Sequence, residues 1–243
     1  MTWPATVIVD VVFIPIYLLL LAFSIFNVVK HGTGKVFGFI SICIFSAVRL
    51  VGNSLLVYVY NDHYRHQNAA TWGFILQALG YSFLVNATLA LYKRAAIIGN
   101  PTKAAQLRGK PLDMDRILHL VTLGALILLI TGYNDSDVFS NSSSSSMPSS
   151  PSSTSLDGKA KAGDLIYVGL TVFIAVLCSY RLFFRGSKGD EPRTILSFIL
   201  GALPFMLCRA VYAAVKAFSD DALQGSLWAK VVFDYIAEVI VVV

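Results

Sequence analysis

Seven long runs of mostly apolar side chains dominate this 243-residue sequence and leave few folds open to it. A transmembrane helix needs about 20 such residues to cross about 30 Å of hydrocarbon. Lipid offers no partner to an unpaired backbone amide, so a spanning chain must be helical or form a closed barrel. The runs are apolar at both odd and even positions, unlike the alternating strands of a barrel. The predicted spans are residues 7–29, 36–60, 71–92, 117–133, 165–184, 194–218 and 227–243.

The composition excludes the common soluble classes. Hydrophobic residues make up 56% of the chain and charged residues only 14%, whereas soluble domains carry about 25% charged residues. An ordinary soluble enzyme, a nucleic-acid-binding domain and a disordered protein are therefore excluded. The expected fold class is all-α, a single seven-helix bundle embedded in the lipid bilayer. The seventh run ends at Val243, the last residue, which predicts a helix that stops at the membrane face or a truncated sequence.

The uneven distribution of Lys and Arg predicts the orientation, since these residues concentrate in short cytoplasmic connections. The connections after the first, third and fifth runs hold eleven of them, and the opposite side holds three. The N-terminus is therefore expected outside, or in a lumen, and the C-terminus in the cytoplasm. In this interpretation the basic residues of the connection 93–116 keep it on the cytoplasmic side. The alternative is that they contact anionic lipid. The host membrane is expected to be the plasma membrane or a secretory endomembrane.

The connection 134–163 is predicted to be a disordered outer loop. Eleven of the sixteen residues 140–155 are Ser, and such a segment cannot bury enough apolar surface to fold. It contains two acceptor patterns for N-linked glycans, beginning at Asn134 and Asn141. Glycosylation at these positions is consistent with the predicted orientation.

Charged residues inside the spans point to a polar interior, because an ionised side chain at bilayer depth costs at least ~2.5 kcal/mol on insertion scales. The rise of about 1.5 Å per helical residue gives the depth of each one. Three basic and three acidic residues are expected to pair by depth: Arg49 with Glu238, Arg209 with Asp234, and Asp10 with Lys230.

Further polar side chains share the helix faces of these charges. Asn53 lies on the face of Arg49 in the second span, Gln77 lies in the third span, and Tyr212 lies on the face of Arg209 in the sixth. Pro204 removes a backbone hydrogen bond and is expected to kink the sixth span. We expect a polar pocket between spans one, two, three, six and seven, open toward the outer leaflet. The alternative is that the charge pairs only fix helix register.

The sequence offers no catalytic, cofactor or metal site. A zinc hydrolase needs several His ligands, and of the four histidines only His119 lies in a span. Lys230 is too close to the outer surface for a retinal pigment. The third span ends in Tyr92-Lys93-Arg94 without an acidic partner, unlike a G-protein-coupled receptor. No phosphate-binding glycine loop is present. An enzyme is not expected.

Short motifs at both ends of the chain resemble one family. They are the hinge Lys30-His31-Gly32-Thr33-Gly34-Lys35 between the first two spans, the sixth-span segments Leu203-Pro204-Phe205 and Arg209-Ala210-Val211-Tyr212, and the final Ala237-Glu238-Val239 with the valine-rich residues after it. They resemble fungal seven-span membrane proteins of unknown function. Those proteins are similar in layout to fungal lipid-translocating exporters. The resemblance implies a fungal membrane protein and no particular activity.

Two functions fit the pocket. The first is a transporter or exporter of a small amphipathic or lipid-like molecule, in which Asp234 or Glu238 is protonated in concert with Arg209 and Arg49. The second is a sensor or receptor, which binds a ligand in the same pocket and meets a cytoplasmic partner through the basic connection. Family analogy favours transport, although analogy of this kind is associational. Nucleic acid is not an expected partner.

Overall fold

The computed structural model describes residues 5–31, 37–62, 67–99, 114–135, 157–184, 190–218 and 227–242. Over these residues the chain is entirely helical apart from short turns, with seven helices and no strand. The first six are α1 (Ala5–His31), α2 (Phe37–Asn61), α3 (Gln67–Gly99), α4 (Met114–Asp135), α5 (Gly158–Phe184) and α6 (Asp190–Phe218). All six are long and apolar enough to cross a membrane. The predicted all-α fold is thereby confirmed for the described residues, with six helices that are compatible with a membrane.

The seventh helix, α7 (residues 227–242), differs from the others. It begins with Leu227–Ala229, continues as a π-helical segment, Lys230–Ile236, and ends as the α-helix Ala237–Val242. The expected span has the right position. However, α7 is not among the six helices with sufficient length and apolar character among the described residues; it carries the charged residues Lys230, Asp234 and Glu238.

The outer faces of the bundle are apolar, as a lipid environment requires. Leu19 of α1 is 71% exposed, Phe198 of α6 is 75% exposed, and Phe183 of α5 is 73% exposed. Such a density of exposed large apolar side chains would be costly in water, where contiguous apolar patches are rare. The buried positions instead include fully enclosed polar groups. This distribution is the one expected for an integral membrane protein.

The helix α3 is the centre of the bundle, since it packs against α2, α4, α5 and α6. It is longer than the predicted span 71–92 at both ends. Lys93 and Arg94 were expected in a connection, but they lie exposed on the last turns of the helix. The following Ala95 and Ala96 are good helix formers and continue the helix past these charges.

The predicted disordered loop 134–163 is wrong at its ends. Helix α4 continues to Asp135, and exposed Asn134 lies in its last turn. Helix α5 begins at Gly158, where the carboxylate of Asp157 accepts a hydrogen bond of 2.8 Å from the first backbone N–H. This is the capping that an Asp ahead of a helix provides. Asn141 and most of the serine-rich segment lie outside the described residues.

Helices α4 and α5 approach closely through small residues. A Cβ atom added to Gly132 would overlap the backbone of Ala160, whose Cα would lie 2.8 Å away. A Cβ on Gly163 would lie 2.9 Å from Cγ of Leu129. Small residues of this kind let helices pack at short distance in a membrane. The contact positions the first turns of α5, and with them Asp164, against the rest of the bundle.

Candidate functional site

Four charged side chains from three helices form one buried cluster, the ion-pair cluster: Arg49 of α2, Arg209 of α6, and Asp234 and Glu238 of α7. The carboxylate of Asp234 accepts a hydrogen bond of 2.6 Å from Nη2 of Arg49 and lies 3.2 Å from Nε of Arg209. Glu238 forms ion pairs with both arginines. Each acid therefore contacts both cations, whereas one-to-one pairs at separate depths were expected. Two acids and two cations leave the cluster without net charge.

Burial of the cluster is nearly complete. Arg49 and Glu238 are fully buried, and Arg209 is 5% exposed. Tyr17 of α1, also fully buried, donates a hydrogen bond of 2.8 Å from its hydroxyl to Oε2 of Glu238. Four helices are therefore held together through one carboxylate. An uncompensated charge in a low-dielectric interior is unfavourable. Removal of any one charged partner should therefore destabilise the protein.

A second group of polar residues adjoins the cluster on α7. Nζ of Lys230 donates a hydrogen bond of 3.0 Å to Asp10 of α1, the pair that depth predicted. The hydroxyl of Tyr235 also donates to Asp10. Nε2 of Gln77 donates to Oδ1 of Asn53 at 3.1 Å and to the Tyr235 hydroxyl at 3.3 Å. These bonds connect α1, α2, α3 and α7.

Close helix packing accommodates the cluster beside α3. A Cβ on Gly80 of α3 would lie 3.3 Å from the Cδ and Nε atoms of Arg49. Any larger residue at position 80 would force the side chain of Arg49 to move by a few tenths of an ångström. Nε and Nη1 of Arg49 have no hydrogen-bond partner among the described residues, and the same is true of Nδ2 of Asn53.

A cavity of about 90 Å³ lies next to the ion-pair cluster. It is enclosed by residues of α3, α4, α5, α6 and α7. Arg209 and Asp234 line it as well as belonging to the cluster. The other lining residues are Phe74, Gln77, Ala78, Tyr81, Leu129, Tyr133, Asp164, Tyr167, Ala210, Tyr212, Ala213, Lys216 and Ala217.

The cavity lies in one half of the bundle. Asp164 is six residues from the start of α5 and Lys216 two residues from the end of α6, which places them about 9 Å and about 3 Å from those helix ends. Tyr133 is similarly close to the end of α4. This is the half that the distribution of Lys and Arg predicts to be outer.

The cavity contains polar groups that make no direct hydrogen bond or ion pair with other described residues, although Asp164 lies within electrostatic range of Lys216 and Arg209. Among the described residues, Asp164 and Lys216 take part in no hydrogen bond or ion pair, although both line the same space. The buried hydroxyl of Tyr212 has no hydrogen-bond partner there either. The cavity thus differs from the ion-pair cluster, where every charge is opposed by another.

The predicted pocket was wrong in part. It was expected between the first, second, third, sixth and seventh spans, but the cavity is bounded by α4 and α5 instead of α1 and α2. Of the predicted site residues, Gln77, Arg209, Tyr212 and Asp234 line the cavity. The remaining five, which are Asp10, Arg49, Asn53, Lys230 and Glu238, lie in the adjoining polar network.

Sequence reasoning missed Asp164, Tyr133 and Tyr167 as lining residues. Asp164 lies between the predicted loop 134–163 and the predicted fifth span, which begins at residue 165, so it was not placed inside the bundle. A signal was nevertheless present, because Asp164, Tyr167 and Thr171 have the spacing i, i+3, i+7 of one helix face. Arg49 and Asn53, which are four residues apart, share a face of the second span in the same way.

A family model for a domain of unknown function, DUF7702, matches residues 6–243. The chain belongs to the DUF7702 family. The matched region includes the ion-pair cluster and the cavity, so both belong to the DUF7702 domain itself. No curated protein and no solved structure matches the chain. The DUF7702 description assigns no activity, and the function must be inferred from the site.

Proposed function

We propose that this DUF7702 protein is an integral membrane transporter, or exporter, of a small amphipathic or lipid-like molecule that binds in the cavity. The observation that carries the proposal is a cavity within the helical bundle where Asp164 and Lys216, two lining residues of opposite charge, make no hydrogen bond or ion pair with other described residues. Charged groups within a bilayer are costly and commonly mark substrate or ion pathways. The paired charges of the ion-pair cluster are sufficient to hold the helices together. Additional charges at the cavity are not needed for that purpose.

The ion-pair cluster couples the cavity to the rest of the bundle. Arg209 and Asp234 face the cavity and also contact Arg49 and Glu238. A ligand that competes for Arg209 or Asp234 therefore weakens contacts between α2, α6 and α7. Protonation of either acid has a similar effect, since it removes one charge from a neutral group of four. Binding in the cavity is thus converted into a change of helix packing.

Two helices contain features that suit movement. Pro204 lies within α6, five residues from Arg209, and removes one backbone hydrogen bond from the helix. The π-helical segment Lys230–Ile236 of α7 contains Asp234. Segments of this kind are frequently found at functional sites. Pro204 is close in sequence to Arg209, and the π-helical segment contains Asp234; both of these residues belong to the cavity and to the ion-pair cluster. A transport cycle requires the helices to rearrange at this place.

A flux measurement in proteoliposomes tests this function. The purified protein is reconstituted, and transbilayer movement of a fluorescent short-chain phospholipid analogue is followed by dithionite quenching. Flux should exceed that of empty vesicles, depend on pH and fall strongly in Asp234→Asn. The control Lys161→Gln should retain flux, because Lys161 does not line the cavity. Binding of a ligand that changes association with a cytoplasmic partner, without flux, would replace transport by the sensor function.

The proposal includes the membrane topology. α7 forms a seventh span, the N-terminus lies outside or in a lumen, and the C-terminus lies in the cytoplasm of a fungal cell, at the plasma membrane or in the secretory pathway. The positive-inside distribution of Lys and Arg supports this orientation. An N-terminal tag should be accessible in intact cells and a C-terminal tag only after permeabilisation. Glycosidase treatment should lower the apparent mass through Asn134 or Asn141; the reversed tag pattern contradicts the orientation.

A further inference from the structure

The unpaired groups of the cavity have opposite charges and lie on facing helices. The carboxylate of Asp164 comes from α5, and the ammonium of Lys216 comes from α6. Asp164 is 9% exposed. The two side chains lie within electrostatic range of each other, but neither makes a hydrogen bond or an ion pair with a described residue. The cavity therefore offers one anionic and one cationic contact at the same time.

An unpaired buried charge is unfavourable, and a ligand with a complementary charge relieves the cost. A purely anionic ligand would satisfy Lys216 and leave Asp164 unpaired, whereas a purely cationic ligand would do the reverse. Arg209, which also lines the cavity, is already engaged by Asp234 and Glu238. A ligand that carries both charges satisfies both free groups together.

The surroundings of the two charges differ in a manner that orients such a ligand. Tyr133 of α4 and Tyr167 of α5 line the cavity together with Asp164, and Tyr167 is three residues from Asp164 on the same face of α5. Aromatic faces attract ammonium groups, so this end of the cavity suits a cation. Tyr212 is on the same helix as Lys216, four residues earlier, and its buried hydroxyl has no partner among the described residues. A hydroxyl beside an ammonium suits an anionic oxygen.

The size of the cavity restricts the ligand. At about 10–15 Å³ for each water, a cavity of about 90 Å³ holds about six to nine water molecules. The part of a ligand that enters must therefore be of similar size. This corresponds to a small amino acid or to the head of a larger molecule.

From these observations we propose that the cavity binds a small zwitterion. Its ammonium lies at Asp164 among the tyrosines, and its carboxylate or phosphate lies at Lys216 and the Tyr212 hydroxyl. The inference rests on the proposed function for its site and adds the chemical class of the substrate. The zwitterion is either a free small molecule or the head group of a lipid, and the two sources share this chemistry.

Three probes of one carbon skeleton test the proposal on the full-length wild-type protein in nanodiscs. Alanine carries both charges, lactate carries only the anion, and 2-aminopropanol carries only the cation. Binding is measured by the shift in thermal unfolding with probe concentration. Alanine should bind about ten- to hundredfold more tightly than either analogue, as expected for one additional charged hydrogen bond. Equal or tighter binding of lactate or 2-aminopropanol overturns the proposal.

Variants assign the two ends of the ligand. In Asp164→Asn the preference for alanine over lactate should disappear, and in Lys216→Gln the preference over 2-aminopropanol should disappear. Asp157→Asn keeps a capping side chain on α5, and Lys161→Gln removes a charge outside the cavity; both should retain wild-type selectivity. Selectivity that survives Asp164→Asn and Lys216→Gln would overturn the assignment.

The lipid source is distinguished with nanodiscs of different head groups. If the ligand is a head group, zwitterionic phosphatidylethanolamine should stabilise the wild type relative to anionic phosphatidylglycerol, and Asp164→Asn should abolish the difference. Absence of both the alanine preference and the lipid preference overturns the zwitterion site. Selective binding without any flux of the bound molecule would support the zwitterion site and contradict the transport function. The experiments therefore distinguish a failure of the zwitterion proposal from a failure of the transport proposal.

Discussion

The ion-pair cluster and the cavity share Arg209 and Asp234 but differ in how their other charged side chains are paired. In the cluster Glu238 contacts two arginines and Tyr17, and all of these groups are almost inaccessible. In the cavity Asp164 and Lys216 face a space of about 90 Å³ and make no hydrogen bond or ion pair with other described residues. Charges in this bundle therefore have two roles. Paired charges hold helices together, and we propose that the charges at the cavity bind a ligand.

The largest effect is expected from Glu238→Ala. This change leaves Arg49 and Arg209 buried with Asp234 as their only remaining acid in the cluster, which should destabilise the protein by about 3–5 kcal/mol. Thermal unfolding in nanodiscs and the folded yield measure the loss. Arg49→Ala should rescue the variant only in part, because Arg209 still lacks one of its carboxylates. If the double variant loses the sum of the two single losses, Arg49 and Glu238 are not coupled.

A smaller loss of stability is expected when the hydroxyl of Tyr17 is removed, and no loss is expected for the hydroxyl of Tyr212. Tyr17→Phe removes a hydrogen bond to the ionised Glu238 and should cost about 1.5–3 kcal/mol. Tyr212→Phe removes a hydroxyl that has no partner among the described residues, and it should leave unfolding unchanged or raise its midpoint. The two variants are compared by thermal unfolding without added ligand. Equal losses would show that the cavity hydroxyl is also part of the fold.

The third prediction concerns the packing that forms the α4–α5 side of the cavity. Gly132→Ala would place a Cβ against the backbone of Ala160 and should cost about 1–3 kcal/mol through strain. Gly124→Ala on the same helix is the matched control, since no atom lies within 4 Å of its added Cβ. The control should be neutral or slightly stabilising because alanine favours a helix. Unfolding midpoints that do not differ between the two variants would contradict the close approach.

The sequence predicted the helices well where apolar runs were long, and it failed where polar residues begin a helix. Residues 158–164 read Gly-Lys-Ala-Lys-Ala-Gly-Asp, which hydropathy assigns to a loop. Helix capping by Asp157 and the helix preference of Ala and Lys extend α5 through them. The error moved Asp164 out of the bundle and thereby hid one wall of the cavity.

Depth along each helix predicted which charges lie at similar heights, but it could not give their lateral arrangement. Arg49, Arg209, Asp234 and Glu238 converge because helices α2, α6 and α7 meet at one place. That depends on the order of helices around the bundle, which a single sequence does not specify. The π-helical segment of α7 likewise has no local sequence signal, since its winding depends on packing against neighbours.

The most direct test of the two roles of charge is the unfolding midpoint of Asp164→Asn in phosphatidylglycerol nanodiscs, which contain neither a zwitterionic lipid nor an added ligand. A buried carboxylate kept for a ligand is a cost to the empty protein, so its neutral, isosteric replacement should unfold at the same or a higher temperature than the wild type. Asp234→Asn, measured in parallel, should unfold at a lower temperature because it weakens contacts with both arginines. A loss of stability in Asp164→Asn as large as in Asp234→Asn would contradict the account.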